Sequence, residues 1–466
     1  MLPPNTTHVH FIGIGGYGMS ALALVMLQKG IHVSGSDLKE SALTANLSKL
    51  GADVFAGHCP ANLGQAGLVV YSTAVRPDNP EMAAAGERGL TVWHRSELLA
   101  ALLNNAHGIA IAGAHGKTTT TAMTALLLEA GGLDPTAIIG GTLPAYGSNA
   151  RLGKSEYLVA EADESDSSFT RYFPRLALVT GIEPDHLEHY TNDYGILQQA
   201  YRTFLSNVAP QGTAVLCADD PNLRGLASGL ECKTVYYALA ESPAVQPDYY
   251  AANITVNGRS STFDLCCRGK TCASGVHLNV PGSYNISNAV GALAIAAELG
   301  LDPAACAPSL GAFFGVSRRF EIIGTAGDIT VVDDYAHHPT EVRATLEAAR
   351  PSSNRVICLF QPHRYSRTAS FLDEFSRAFD DADLLLLHSV YSAGEAPIAG
   401  ATSEELAGHI RSHGKVVVHY SEDIAVLEEK AAALAQPGDL IITMGAGDIT
   451  YSASRILARL QAVEGL

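Results

Sequence analysis

The stretch GIAIAGAHGKTTTTAMTALLL, residues 108–128, decides the reading of this chain. It passes from a short apolar segment through a glycine turn into a helix start, with Lys117 and Thr118 at the turn. That is the layout of a phosphate-binding loop. The usual spacing, G-x-x-x-x-G-K-[ST], requires glycine at position 111, where the chain has Ile111, and the first glycine is Gly113. The physics survives the missing residue. Main-chain N–H groups over Gly113, Ala114, His115, Gly116, Lys117, Thr118 and Thr119 can cradle phosphates at a helix N-terminus. Lys117 can neutralise charge on the β- and γ-phosphates, and the Thr118 hydroxyl is a hard oxygen suited to Mg2+. The bland alternative is a Thr-rich helix cap, but a cap does not need G-K-T after an apolar strand.

Around this loop, strands alternate with helices for most of the length, the pattern of α/β layers built on parallel sheets. The 466 residues suggest about three domains. We expect an N-terminal Rossmann-like domain over 1–105, a central phosphate-loop domain over 106–316 and a Rossmann-like C-terminal domain over 317–466. Between about 232 and 282, the segments TVYYAL, DYYAANITV, STFDLCC and GVHLNV read as an antiparallel insert in the central domain. The net charge of −17 lacks the basic footprint of non-specific nucleic-acid binding. The N-terminus has no signal-peptide pattern, and no apolar run is long enough to cross a membrane. The eight cysteines are scattered without a C-x-x-C pair, so they are expected to be reduced and the protein cytoplasmic.

A second glycine turn, GIGGYG, places Gly13, Gly15 and Gly18 between a strand and a helix, and Asp37 ends the next strand. Taken alone, this turn fits a nicotinamide dinucleotide, another nucleotide diphosphate, or simply a tight turn. Downstream, Glu161, Asp163, Glu164 and Asp166 follow the strand YLVAE, where an acid would complete a Mg2+ site. Asp185 and His186 follow another apolar strand, as a helix cap and loop histidine or as a metal or phosphate site. In the last third, VVDDYAHHPTEV offers Asp334, His337 and His338 for acid–base work. FQPHRYSRT offers Arg364 and Arg367, whose planar guanidinium groups match a carboxylate. The bland alternatives are a capped helix and a basic surface turn.

Eight segments in order, GIGGYGMS, GAHGKTTTT, EADESDSSF, PDHLEHY, PGSYNISNAVGAL, GVSRRFE, DDYAHHPTEV and FQPHRYSRT, resemble the Mur ligases of peptidoglycan synthesis over residues 8–460. The resemblance is closest to the branch that joins L-alanine to UDP-N-acetylmuramate. It implies an ATP-dependent, ADP-forming ligation through an acyl phosphate, serving cell-wall biogenesis, cell shape and division. It assigns the first turn to the UDP-sugar, through Gly13, Gly15, Gly16, Gly18, Met19, Ser36, Asp37, Ser72 and Thr73. It explains the short loop, since the family pattern G-[TA]-x-G-K-T begins at Gly113. It implies ATP contacts from Asn285, Asn288, Arg319 and Asp334, a magnesium ion (Mn2+ as an alternative) held by Thr118 and Glu161, and a second one held by His186 near the acyl phosphate. The catalytic set becomes Lys117, Glu161, His186, His337 and His338, with His337 or His338 as acceptor of the amine proton or His338 as a substrate contact. His363, Arg364 and Arg367 would hold the amino acid. Other members carry a carbamylated lysine after the DH segment; this chain has no lysine between Asp185 and Leu205, as in the alanine-adding branch.

Two rivals remain within the family. The recycling ligase that adds a whole tripeptide lacks the QPHR arrangement, and folylpolyglutamate-type ligases lack the N-terminal domain. A nicotinamide-dependent oxidoreductase is the remote alternative. Partners are expected to be small molecules, and the assembly a monomer or homodimer.

Overall fold

The computed structural model describes residues 2–4, 6–242 and 245–464. These form two compact units, one over Met1–Ile254, Phe263–His277 and Ile286–Phe313, the other over Thr255–Thr262, Leu278–Asn285 and Phe314–Leu466. Three sheets carry the architecture, a three-domain α/β fold.

The first sheet has five strands: β1 (His8–Ile12), β2 (His32–Asp37), β3 (Asp53–Ala56), β4 (Leu68–Tyr71) and β5 (Thr91–His94), in the order β3-β2-β1-β4-β5. All four pairings are parallel. The chain leaves β1 in one direction and returns to its other side at β4. This switch point opens a crevice at the carboxyl ends of the strands. The helix Tyr17–Gln28, which follows the first glycine turn, is buried continuously from Met19 to Met26. A helix apolar all round needs cover on every face. This one packs against the first sheet and against β7 (Thr136–Leu143) and β8 (Ser148–Arg151) of the second. Asn149 pins it by donating to the Tyr17 carbonyl at 2.6 Å and to Ser20 Oγ at 2.9 Å.

The second sheet opens with β6 (His107–Ala112) and, after β7 and β8, continues with β9 (Tyr157–Glu161), β10 (Leu176–Val179), β11 (Thr213–Cys217) and β12 (Lys233–Ala238). It ends with β13 (Tyr249–Asn257), β14 (Ser260–Cys267) and β15 (Lys270–Leu278). The order is β15-β14-β13-β12-β11-β10-β6-β9-β7-β8. Central β6 lies between β9 and β10, parallel to both, so the loop that follows it emerges at the switch point. The expected insert is corrected at its start: TVYYAL is β12, which runs parallel to β11 and continues the main sheet. Within the expected insert, β13, β14 and β15, joined by turns at Gly258 and Gly269, have the connections of hairpins. The expectation of reduced cysteines is also corrected, because Cys267 and Cys272 form a disulfide across the β14–β15 turn. Their positions near the ends of one hairpin bring them within reach; the six other cysteines are free.

The third sheet comprises β16 (Glu321–Ala326), β17 (Ile329–Asp334), β18 (Val356–Phe360), β19 (Leu384–His388), β20 (Val417–Ser421) and β21 (Leu440–Met444). Its order is β16-β17-β21-β18-β19-β20, parallel throughout except for β16, which pairs antiparallel with β17. Separate apolar clusters cover its two faces, as a sheet of buried parallel strands requires.

Candidate active site

The short loop after β6 is held open by two glycines. Gly113 has φ +128°, and a Cβ there would lie 2.0 Å from Thr180 Oγ1 and 2.8 Å from Thr180 N. Gly116, at φ +82°, precedes the helix Lys117–Ala130, and a Cβ there would meet Asn288 Oδ1 at 2.5 Å. Both are conformations that L side chains rarely adopt. Asn288 therefore stands beside the loop. Asn285, one turn earlier on the helix Ser283–Glu298, donates to the Pro281 carbonyl at 2.7 Å. Ala114 N–H is tied to the Gly181 carbonyl at 2.9 Å, and Thr180 donates to the His115 carbonyl.

Lys117 Nζ donates to the Gly113 carbonyl at 2.6 Å, the Ala114 carbonyl at 3.3 Å and Glu164 at 2.9 Å. Burial opposes its charge, but Glu164 and Asp163 outweigh that and hold the ammonium above its ordinary range. The acids after β9 divide their work. Glu161 accepts from Thr118 Oγ1 at 3.2 Å and from Gly140 N–H. Asp163 and Asp166 turn instead to Arg95, at 3.0 and 3.3 Å. Burial alone would raise Asp163, but Arg95 and then Lys117 pull it well below the usual carboxylate range. Arg95 was not singled out from the sequence; it begins the helix Arg95–Leu103, and its side chain lies within 3.8 Å of where a Gly18 Cβ would stand. Nothing in its local sequence distinguishes it from a helix-capping arginine. His186 sits at φ +56°, with Nε2 3.6 Å from Asp185 Oδ2 and Nδ1 3.9 Å from Glu188 Oε1.

The first glycine turn is organised by main-chain bonds. Gly13 and Ile14 N–H both donate to the Ser36 carbonyl, at 2.8 and 3.0 Å, and Gly15 N–H donates to Asp37 Oδ2 at 2.9 Å. Three of the residues expected at the UDP-sugar are buried or have partners within the domain. The Ser36 side chain is fully buried and donates to Glu81 at 2.5 Å, so it is spent inside the domain. Met19 is 2 % exposed, and its Cγ lies 3.9 Å from where a Gly16 Cβ would stand, so its side chain backs the turn. The Asp37 carboxylate is engaged with the turn itself. Ser72 is half-buried and Thr73 exposed after β4, across the switch point from Gly13. Beneath them lies a polar network the sequence did not announce. Glu81, wholly buried, accepts from Ser36, from Asn62 at 2.7 Å and from Cys59 N–H at 3.1 Å, and lies 3.4 Å from His10 Nε2. Burial would raise its carboxyl, but these donors, His10 first, bring it down to about 2.

In the second compact unit, Asp334 anchors the main chain around it. It is 4 % exposed, and its oxygens accept from Phe320 N–H and Ala336 N–H, both at 2.7 Å. Burial pushes its carboxyl up to about 6 against the pull of Arg319. Arg319 lies 3.6 Å from Glu341 and over the Tyr335 ring at 5.2 Å. The two histidines differ in tautomer. His337 Nδ1 lies 2.8 Å from the Tyr335 carbonyl, which can only accept, so the basic lone pair is on Nε2. His338 caps the helix Pro339–Ala349 by accepting Thr340 N–H on Nδ1 at 3.4 Å, so its neutral form carries hydrogen on Nε2. After β18, His363 stacks on Tyr391 at 5.6 Å and 9°, and Arg367 NH1 reaches its Nδ1 at 3.4 Å. The Arg364 N–H donates to the Tyr391 carbonyl at 2.8 Å. Tyr391 comes from a distant loop that carried no recognisable motif.

Residues 8–107 match the Mur ligase family catalytic domain, 111–296 the Mur ligase middle domain and 318–447 the Mur ligase glutamate ligase domain. The chain belongs to the Mur ligase family. It is 47% identical over 455 residues to the UDP-N-acetylmuramate–L-alanine ligase of Pelotomaculum thermopropionicum, covering 97% of this chain and 98% of that protein. The enzyme of the same name from Agrobacterium fabrum is 44% identical, covering 100% and 99%. Among solved structures, the UDP-N-acetylmuramate-alanine ligase of Thermotoga maritima superposes with a TM-score of 0.81 at 29% identity, covering 98% of this chain and 99% of that one. A murein peptide ligase from Psychrobacter arcticus gives 0.73 at 25%, covering 98% and 99%.

Proposed function

We propose that this chain joins L-alanine to the lactyl carboxylate of UDP-N-acetylmuramate, with ATP converted to ADP and phosphate. The reading rests above all on one observation: two glycine turns at helix N-termini share a compact unit, and one loop, Asp163–Asp166, holds the cation beside each. Full-length similarity to alanine-adding relatives selects the amino acid.

A carboxylate resists attack by an amine, so it must first be activated. Its oxygen attacks the γ-phosphorus of ATP, ADP leaves, and an acyl phosphate forms. The alanine amine then attacks the acyl carbon, and phosphate departs to leave an amide. In-line transfer between anions demands preorganised positive charge. Lys117 and the loop amides other than that of Ala114, which is tied to Gly181, supply it. Thr118 and Glu161 bring a hydroxyl and a carboxylate oxygen within 3.2 Å, a hard donor pair that fits Mg2+. Bound there, a divalent ion would offset charge on the β- and γ-phosphates. His186 is assigned to a second such ion, on the acyl-phosphate side. His337 is the better acceptor of the amine proton, because its neutral lone pair lies on Nε2. His338, an Nε2 donor, is suited to a substrate oxygen. Arg364, Arg367 and His363 are assigned to the alanine carboxylate, with Arg319 and Asn288 on the ATP side. No described helix is long and apolar enough to cross a membrane, which accords with a cytoplasmic site of action.

Phosphate release from ATP with UDP-N-acetylmuramate and a panel of amino acids and the tripeptide tests the assignment. Release should depend on L-alanine. Release with the tripeptide alone would overturn it.

A further inference from the structure

Lys117 is fully engaged without any nucleotide. An ammonium has three donors, and the loop carbonyls of Gly113 and Ala114 together with Glu164 account for three contacts. The two carbonyls belong to the loop that would wrap the phosphates. Glu164 is the carboxyl contact; its side chain is 5 % exposed, and burial lifts it above the usual carboxylate range against the pull of Lys117. An incoming phosphate and Glu164 are therefore alternatives for the same charge.

We propose that Glu164 is a positioning residue that stands in for the terminal phosphates of ATP, holding Lys117 in the loop until the nucleotide displaces it. The proposal rests on the ATP reading of the loop. The main chain is fixed for such an exchange, since Tyr190 donates its hydroxyl to the Glu164 carbonyl and leaves only the side chain to turn. The displaced carboxylate also has somewhere to go. The Tyr201 hydroxyl is fully buried with no hydrogen-bond partner among the described residues. After burial itself, Glu164 is the first of the charges holding that phenol above its ordinary range. Asp163 cannot take over from Glu164, because it is held by Arg95. The loop thus keeps one acid for the nucleotide site and two for the cation beside the other turn.

The test is equilibrium binding of ATP and of AMP to the full chain, with kcat and the KM for L-alanine measured alongside. In Glu164→Gln the competitor loses its charge at constant shape, and the ATP Kd should fall about tenfold. AMP lacks the β- and γ-phosphates, so its Kd should not move, and the KM for L-alanine should stay at the parent value. Glu164→Asp retains the charge on a shorter arm and should restore ATP binding toward the parent, which also covers a poorly folded glutamine variant. An ATP Kd that is unchanged or raised in Glu164→Gln, or AMP tightening as much as ATP, would overturn the proposal. A parent protein that does not bind ATP would instead sink the reading of the loop itself.

Discussion

Replacing Gly113 by alanine isolates what the first glycine of the short loop does. At φ +128° an L residue occupies backbone space that is essentially reserved for glycine, at about 1–3 kcal/mol. The new methyl also has no room. It would stand 2.0 Å from Thr180 Oγ1, 2.8 Å from Thr180 N and 3.1 Å from Gly181 N, so backbone as well as side chain must give way. Overpacking of this kind costs about 1–3 kcal/mol more. The loop would move off β10, breaking the Ala114 N–H bond to Gly181 and redirecting the amides that should cradle phosphate. Even the lower bound of about 2 kcal/mol corresponds to a roughly 30-fold weaker ATP complex. Isothermal titration with ATP, after circular dichroism has shown the variant folded, reads this directly. A folded Gly113→Ala protein whose ATP Kd stays within about threefold of the parent would refute the claim that Gly113 opens the loop.

Ala114→Thr should do little, because position 114 is half-exposed and its contribution is a main-chain N–H; an ATP Kd more than about threefold tighter would assign the side chain a role. Glu81 is held down at about 2 in the folded chain, so its network stabilises the fold above about pH 4.5 and is lost as pH falls toward 2. The shift is worth about 3 kcal/mol, and in Glu81→Gln the melting temperature should be lower at neutral pH and depend less on pH between 2 and 5; parallel curves for parent and variant would discount the network. Arg95→Met strands Asp163 and Asp166 at a largely buried site and should lower stability by about 3 kcal/mol in denaturant titration. Adding Asp163→Asn should recover part of that loss, and a single variant as stable as the parent would remove Arg95 from the linkage between the two turns.

How much was legible depends on the range of each interaction. The glycine turns, the G-K-T step and the alternation of apolar strands with helices are local patterns, and local physics suffices to interpret them: φ freedom at glycine, exposed amides at a helix start, burial of parallel strands. Lys117 and Thr118 open the helix after β6 and Glu161 ends β9, its neighbour in the sheet, so local pattern alone marks them as candidates. Arg95, Glu81 and Tyr391 were not, because their partners lie 68, 45 and 28 residues away, at Asp163, Ser36 and His363, and only folding brings them together. The same reason hides side-chain partners: Ser36 and Asp334 occupy the expected positions in the motifs, but that they bond a buried carboxylate and backbone amides is encoded in no motif. TVYYAL has the composition of a strand, yet whether it extends a parallel sheet or opens a hairpin is set by which edge it meets. By itself the sequence determined the class of chemistry, because phosphate recognition uses main-chain groups in a local order. The tertiary structure decided which acids oppose which cations, because charge pairing in a protein interior depends on distance in space, and the chain order carries none of it.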